Sequence, residues 1–209
     1  MAEHNSVQSC SEDEEQRKRR WSVRRALSSE ATAVKDVINA AFQADAFFKK
    51  PEYQNRFALE EVKRMMDRKD GAFLVCVKQE EGEGDAKVDP VIMGSLRLEW
   101  ELRSAGSEEE LVGHFSAVSV LNQYASRGIG KSLVLAAEEC LVEEAQRQGC
   151  PKAGVVMEIG VINLRRELFH WYEALGYLTG KPLPHSEELR RIILPSLDVF
   201  CIGMSKRLR

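Results

Sequence analysis

Gly128 and Gly130, one residue apart and flanked by Arg127, Lys131 and Ser132, have the clearest chemistry in the chain. They follow an apolar, β-branched run, Phe115 to Val120 (FSAVSV), and open a long amphipathic pattern. A strand, turn and helix in that order leave backbone N–H groups unpaired at the positive end of a helix macrodipole, a site for phosphate. Glycines let an anion come close to the backbone. Ser126, Arg127, Gly128, Ile129, Gly130, Lys131 and Ser132 are therefore the expected phosphate cradle. Ala125 to Ser132 also stands one residue from the nucleotide-binding pattern G-x-x-x-x-G-K-[S/T]. Ala125 replaces its leading glycine, and no later apolar strand ends in a Mg-binding Asp.

The elements around the turn set the fold class. Trp21 to Leu27 alternates as a half-buried strand, and Ser28 or Ser29 caps a helix with apolar positions at Ala33, Val37, Ile38 and Ala41. Phe42 to Phe57 is aromatic and aperiodic, an ordered loop, and a second helix spans about Ala58 to Asp67. Ala72–Gln79, Val91–Leu102 and Leu111–Leu121 read as strands, separated by polar turns at Glu80–Val88 and Ser104–Glu110. A helix follows from Gly128 to Gln148, stopped by Gly149. Then come a strand (Ala153–Val161), a helix (Leu164–Leu175, ending at Gly176), a short strand from Tyr177, a loop from Lys181 to Glu188 and a last strand at Val199–Met204. This order predicts an α+β fold with a mixed, mostly antiparallel sheet flanked by helices on both faces.

Bulk properties are those of one domain. The chain has 209 residues, 44% apolar and 30% charged, with a net charge of −3. The charge excludes the global basic field of a nucleic-acid binder, and no run has the length of a membrane span. Residues 1–19 read as a disordered charged tail, with 20–209 as the folded domain. The first twenty residues are polar, with no apolar signal core. The five scattered cysteines suit reduced thiols in the cytoplasm, while Arg17-Lys18-Arg19-Arg20 allows a nuclear address. The histidines are far apart in sequence, and no metal-ligand spacing occurs.

The element order and two motifs resemble the GNAT superfamily of N-acetyltransferases. Its [Q/R]-x-x-[G/A]-x-[G/A] turn corresponds to Ala125-Ser126-Arg127-Gly128-Ile129-Gly130, with Ala125 where Gln or Arg is usual. Its LYxxxGF/Y segment corresponds to Trp171-Tyr172-Glu173-Ala174-Leu175-Gly176-Tyr177, and Arg165 stands where Asn is frequent. The resemblance implies acetyl-CoA as co-substrate and acetyl transfer to a primary amine of a small molecule or peptide, by direct attack in a ternary complex. It implies a monomer or homodimer. A non-catalytic acyl-CoA-binding module is the alternative, and a P-loop nucleotide-binding protein is a more distant one.

The resemblance also assigns roles. Val118, Ser119 and Val120 would hold the pantetheine arm through their backbone, and residues 126–132 the pyrophosphate. Tyr172 would protonate the leaving thiolate. Glu99 is the first candidate for general base, with Glu101, Glu158 and His114 as alternatives. Phe47, Phe48 and Trp100 are expected to bound the acceptor, along with the loop from Pro182 to His185. The Lys49–Lys50 pair reads as solvated. Cys76, Cys140 and Cys201 read as core rather than as nucleophiles.

Overall fold

The computed structural model describes residues 21–53, 55–78, 90–105, 108–150, 154–184 and 187–208. The tail 1–19, the turn Glu80–Val88 and His185 lie outside them. The strands are β1 (Trp21–Arg25), β2 (Gly71–Lys78), β3 (Ile92–Ala105), β4 (Glu108–Val120), β5 (Val155–Ile162), β6 (Leu178–Pro182) and β7 (Cys201–Arg207). They form one sheet in the order β1-β2-β3-β4-β5-β7-β6. All neighbours run antiparallel except β4 and β5, which are parallel. The helices are α1 (Ala31–Ala41), α2 (Leu59–Met66), α3 (Ile129–Arg147), α4 (Arg166–Ala174) and α5 (Glu187–Ile192). The α+β class expected from the sequence is the class observed, and its sheet is not the parallel one a P-loop protein needs.

Two irregularities in β4 shape the molecule. Its ladder with β5 runs only from Leu111↔Val155 to His114↔Glu158. Beyond that row β4 continues to Val120 and β5 to Ile162 without pairing, so the two strands part in a V. On the other edge of β4, Ser116 pairs with Arg97 but Ser119 with Ser95. Ala117 and Val118 therefore share one partner position, and Ala117 sits at φ +51. This is a β-bulge, and an alanine at positive φ is strained.

Each face of the sheet has its own core. On one, Leu96, Leu98, Trp100, Leu111, Phe115 and Met157 pack with Leu133, Ala137 and Leu141 of α3 and Tyr172 of α4. On the other, Phe73, Val75, Val77, Ile92 and Ala117 pack with Val34, Val37 and Ile38 of α1 and Val62 of α2. Each fully buried side chain of this size stabilises by about 1.5–3 kcal/mol. A Cβ on Gly113 would fall 2.4 Å from Leu141 Cδ2. Only glycine lets α3 settle so close to β4 just before the V opens.

The sequence reading misplaces two regions. Ser104–Glu110 is not a turn throughout: β3 runs to Ala105 and β4 starts at Glu108. Pairs such as Arg103↔Glu110 extend the hairpin past the core with side chains that read as polar turn. The loop from Lys181 to Glu188 contains the end of β6 and the start of α5. β6 is exposed along its whole length, so no apolar alternation marks it.

Candidate active site

At the glycine turn, Gly128 adopts φ +84 as the N-cap of α3, and Ser126 adopts φ +61. Among the described residues, the first turn N–H with a backbone acceptor is that of Ser132, on the Gly128 carbonyl at 3.0 Å. The N–H groups before it are the free donors of a helix start. A Cβ on Gly128 would meet nothing within 4 Å, so the turn is open. Arg127 lies 5.7 Å over the Tyr124 ring, and Arg127 and Lys131 are exposed at the rim. Behind the turn, the Trp171 ring lies 3.5 Å from where a Gly130 Cβ would stand, joining α4 to the cradle. Residues 126–132 form an open turn and helix start, and Ala125 is exposed beside it.

The strand before the turn supplies a backbone edge. Leu121 N–H donates to the Met93 carbonyl across β3, at 3.0 Å. Alternation along a strand then turns the peptide groups of Val118 and Val120 the other way, into the V. Ser119 differs from its expected role. Its backbone faces Ser95 of β3, and its buried hydroxyl donates to the Ala117 carbonyl at 2.9 Å.

Tyr172 is buried at the α4 side of the V. Its ring lies 5.9 Å from Phe115, 4.7 Å from Trp171 and 5.8 Å from Tyr177. The Tyr172 carbonyl accepts N–H bonds from Leu175 at 3.0 Å and Tyr177 at 3.1 Å, as Gly176 turns at φ +92. That helix stop fixes the residue in place. Burial raises the phenol's pKa, with the charge of Arg165 opposing it. The group stays protonated at neutral pH, the state a proton donor needs. Arg165, in place of the frequent Asn, bonds Asp45 at 2.5 Å and Glu167 at 2.6 Å. It thereby ties the loop after α1 to the start of α4.

On the opposite face of the sheet, a polar row lies beside the second core. Glu99, His114 and Glu158 stand side by side on β3, β4 and β5, so their side chains share a face. Gly113 faces α3, so this row faces away from it. The Glu99 carboxylate is ion-paired with Arg97. Burial holds the Arg97 guanidinium below its ordinary pKa, with Glu99 opposing that shift. Arg103 reaches both Glu158 oxygens, at 3.0 and 3.3 Å, and Glu101 at 3.3 Å. His114 lies between the last two, with Nε2 3.8 Å from Glu101 and Nδ1 3.9 Å from Glu158.

The expected acceptor residues separate. Phe47 is exposed, and its ring meets that of Phe48 edge-on at 5.1 Å. Phe48 is buried. Trp100 is also buried, in the α3-side core, with the Arg25 guanidinium 5.9 Å over its ring. It therefore faces away from the polar row and does not bound an acceptor approaching there. Strand alternation carries the signal: Glu99 and Glu101 point one way and Trp100 the other. Lys49 is buried rather than solvated, with Nζ 3.1 Å from the Phe42 carbonyl, and burial lowers its pKa. Cys76 is inert core, its thiol pushed up to about 12 by burial. Among the described residues no metal-binding cluster forms.

A glycine turn open at a helix start, a strand edge open in a V, a buried phenol on one side and ionisable groups on the other thus surround the end of β4. The sequence pattern of the acetyltransferase (GNAT) family matches residues 34–185, and the chain belongs to that family. Its fold is similar to that of YncA from Salmonella typhimurium with its cofactor acetyl-CoA (TM-score 0.59, 15% identity, 91% of this chain and 95% of that one). It is also similar to the PaiA N-acetyltransferase of Thermoplasma acidophilum in complex with coenzyme A (0.58, 15%, 90% and 98%). A third similar structure is the ribosomal-protein-S18-alanine N-acetyltransferase of Escherichia coli (0.59, 9%, 90% and 94%). Comparison by sequence with curated proteins gives no match. No helix among the described residues is long and apolar enough to cross a membrane.

Proposed function

We propose that the protein transfers the acetyl group of acetyl-CoA to a primary amine of a small molecule or peptide, by direct attack in a ternary complex. The observation that carries this reading is the placement of Tyr172 and the row Glu99–His114–Glu158 on opposite faces of the V. The cradle fits a pyrophosphate, because its N–H groups lack internal acceptors and Gly128 leaves the approach open. Residues 126–132 would hold it, and the Val118 and Val120 peptide groups would hold the pantetheine arm. Acetyl-CoA supplies the thioester that is broken.

The chain's own groups then handle two protons. A lysine-like amine has a pKa of about 10.4, so having it as free base at neutral pH costs roughly 4–5 kcal/mol. A base in the polar row lowers that barrier. On the far side Tyr172 gives its proton to the departing sulfur. Among the described cysteines, Cys76 and Cys140 are buried in the core, which supports direct attack rather than an acyl-enzyme on either of them.

Calorimetric titration with acetyl-CoA, CoA and ATP–Mg, followed by a thiol-release assay over an amine panel, tests this. Micromolar binding of acetyl-CoA, no heat with ATP and turnover on one amine class are expected. Binding without turnover on any amine would instead mark an acyl-CoA-binding module.

A further inference from the structure

The row at the apex of the V contains two candidate bases of different kinds. Glu99 is ion-paired with Arg97, its neighbour on the same face of β3. His114 has carboxylates near both ring nitrogens, at 3.8 and 3.9 Å. Those distances are too long for direct hydrogen bonds and short enough for charge attraction. Both nitrogens of an imidazolium carry a proton, so a ring with an acid on each side is built to hold the charged form. His114 also occupies the last row in which β4 and β5 pair, immediately before Phe115, whose ring touches that of Tyr172. An imidazole can accept a proton on one ring nitrogen and pass one on from the other, which suits it to relaying the amine's proton.

Resting on the acetyltransferase reading, we propose that His114 takes the proton released by the attacking amine, and that Glu101 and Glu158 stabilise the resulting imidazolium. The balance is simple. The ammonium form of the acceptor loses one proton to His114, and the ring passes it to water on its partly exposed face. The free amine nitrogen then forms a bond to the acetyl carbon and gives its second proton to His114, which has by then returned the first to water; the carbon–sulfur bond breaks, and the sulfur receives the Tyr172 proton. Reprotonation of the phenol from solvent closes the cycle with one proton released overall. The charged groups facing His114 are Glu99, Glu101 and Arg103 from β3 and Glu158 from β5. Arg103 binds both flanking carboxylates and keeps them beside the ring.

The test measures kcat against pH from 5 to 10 for wild type, His114→Gln, Glu99→Gln and Glu158→Gln. The acceptor is the best of tyramine, spermidine, free lysine and an unblocked octapeptide, and acetyl-CoA affinity is measured in parallel. His114→Gln should lose about 10²–10⁴-fold in kcat at pH 7 and lose the limb between pH 5 and 8. Its acetyl-CoA affinity should hold, and added imidazole should restore part of the rate. Glu158→Gln removes a negative charge beside the ring, so its limb should move to lower pH with the histidine still present. An unchanged profile in His114→Gln, or loss of the limb in Glu99→Gln alone, would overturn the assignment and leave the acetyltransferase reading standing. A wild-type protein inactive on the whole panel would overturn both.

Discussion

The two sides of the V are built from different material. The side proposed to hold the cofactor is mostly backbone: unpaired N–H groups at the start of α3, the peptide groups of Val118 and Val120, and glycine at Gly128 to leave space. The side proposed for the acceptor is side chains: Arg97, Glu99, Glu101, Arg103, His114 and Glu158, paired and counter-paired across three strands. A backbone site tolerates substitution as long as its geometry holds. A side-chain site loses its function with one atom.

The largest expected effect falls on the groups proposed to move protons. Tyr172→Phe removes one oxygen and should lower kcat by about 10²–10⁴-fold while acetyl-CoA affinity stays the same by calorimetry. Equal loss in both would mean the phenol belongs to the binding half, and the contrast between the sides would fail. Glu138→Ala tests the support behind both sides. Glu138 of α3 is buried and accepts bonds from the Tyr177 hydroxyl at 2.8 Å and from Lys206 Nζ at 2.7 Å. Leaving Lys206 without its partner should cost about 3–5 kcal/mol in a denaturant titration.

Smaller effects belong to the backbone side. Gly128→Ala places a Cβ at φ +84 with no clash, so the strain alone should cost about 1–2 kcal/mol in stability. Acetyl-CoA affinity should fall as the turn relaxes, and an unchanged Kd would show that the positive φ is not needed for the cradle. Ala125→Gln restores the usual family residue. If backbone dominates, the gain should stay within the ~0.5–1.5 kcal/mol of one hydrogen bond, under about tenfold in Kd. A much larger gain would move the cradle toward side-chain recognition.

This contrast also explains what the sequence disclosed. Gly128, Gly130 and the apolar run before them are local in the chain, so the glycine turn and α3 are legible from spacing alone. So is Tyr172, from the helix ending at Gly176. The polar row is not, because Glu99, His114 and Glu158 become neighbours only through sheet register. The sequence offers His114, Glu101 and Glu158 only as separate alternatives to Glu99, and nothing in their spacing makes them adjoin. Trp100 is a different kind of miss: the period-2 rule already placed it opposite Glu99, and its aromatic character drew the wrong inference. Lys49 reads as a surface lysine, and only the fold of its loop onto Phe42 buries it.

The bulge at Ala117 gives β4 two phases. Up to Ser116 the strand keeps step with β3, and one residue later it is out of step by one, so Val118 and Val120 present their peptide groups to the V. Loss of a single residue here would bring the strand back into step and reverse the facing of everything between the bulge and the turn. Point substitutions along 115–120 should therefore be far milder than a one-residue deletion. The position most sensitive in this chain is a count of residues rather than the identity of any one of them.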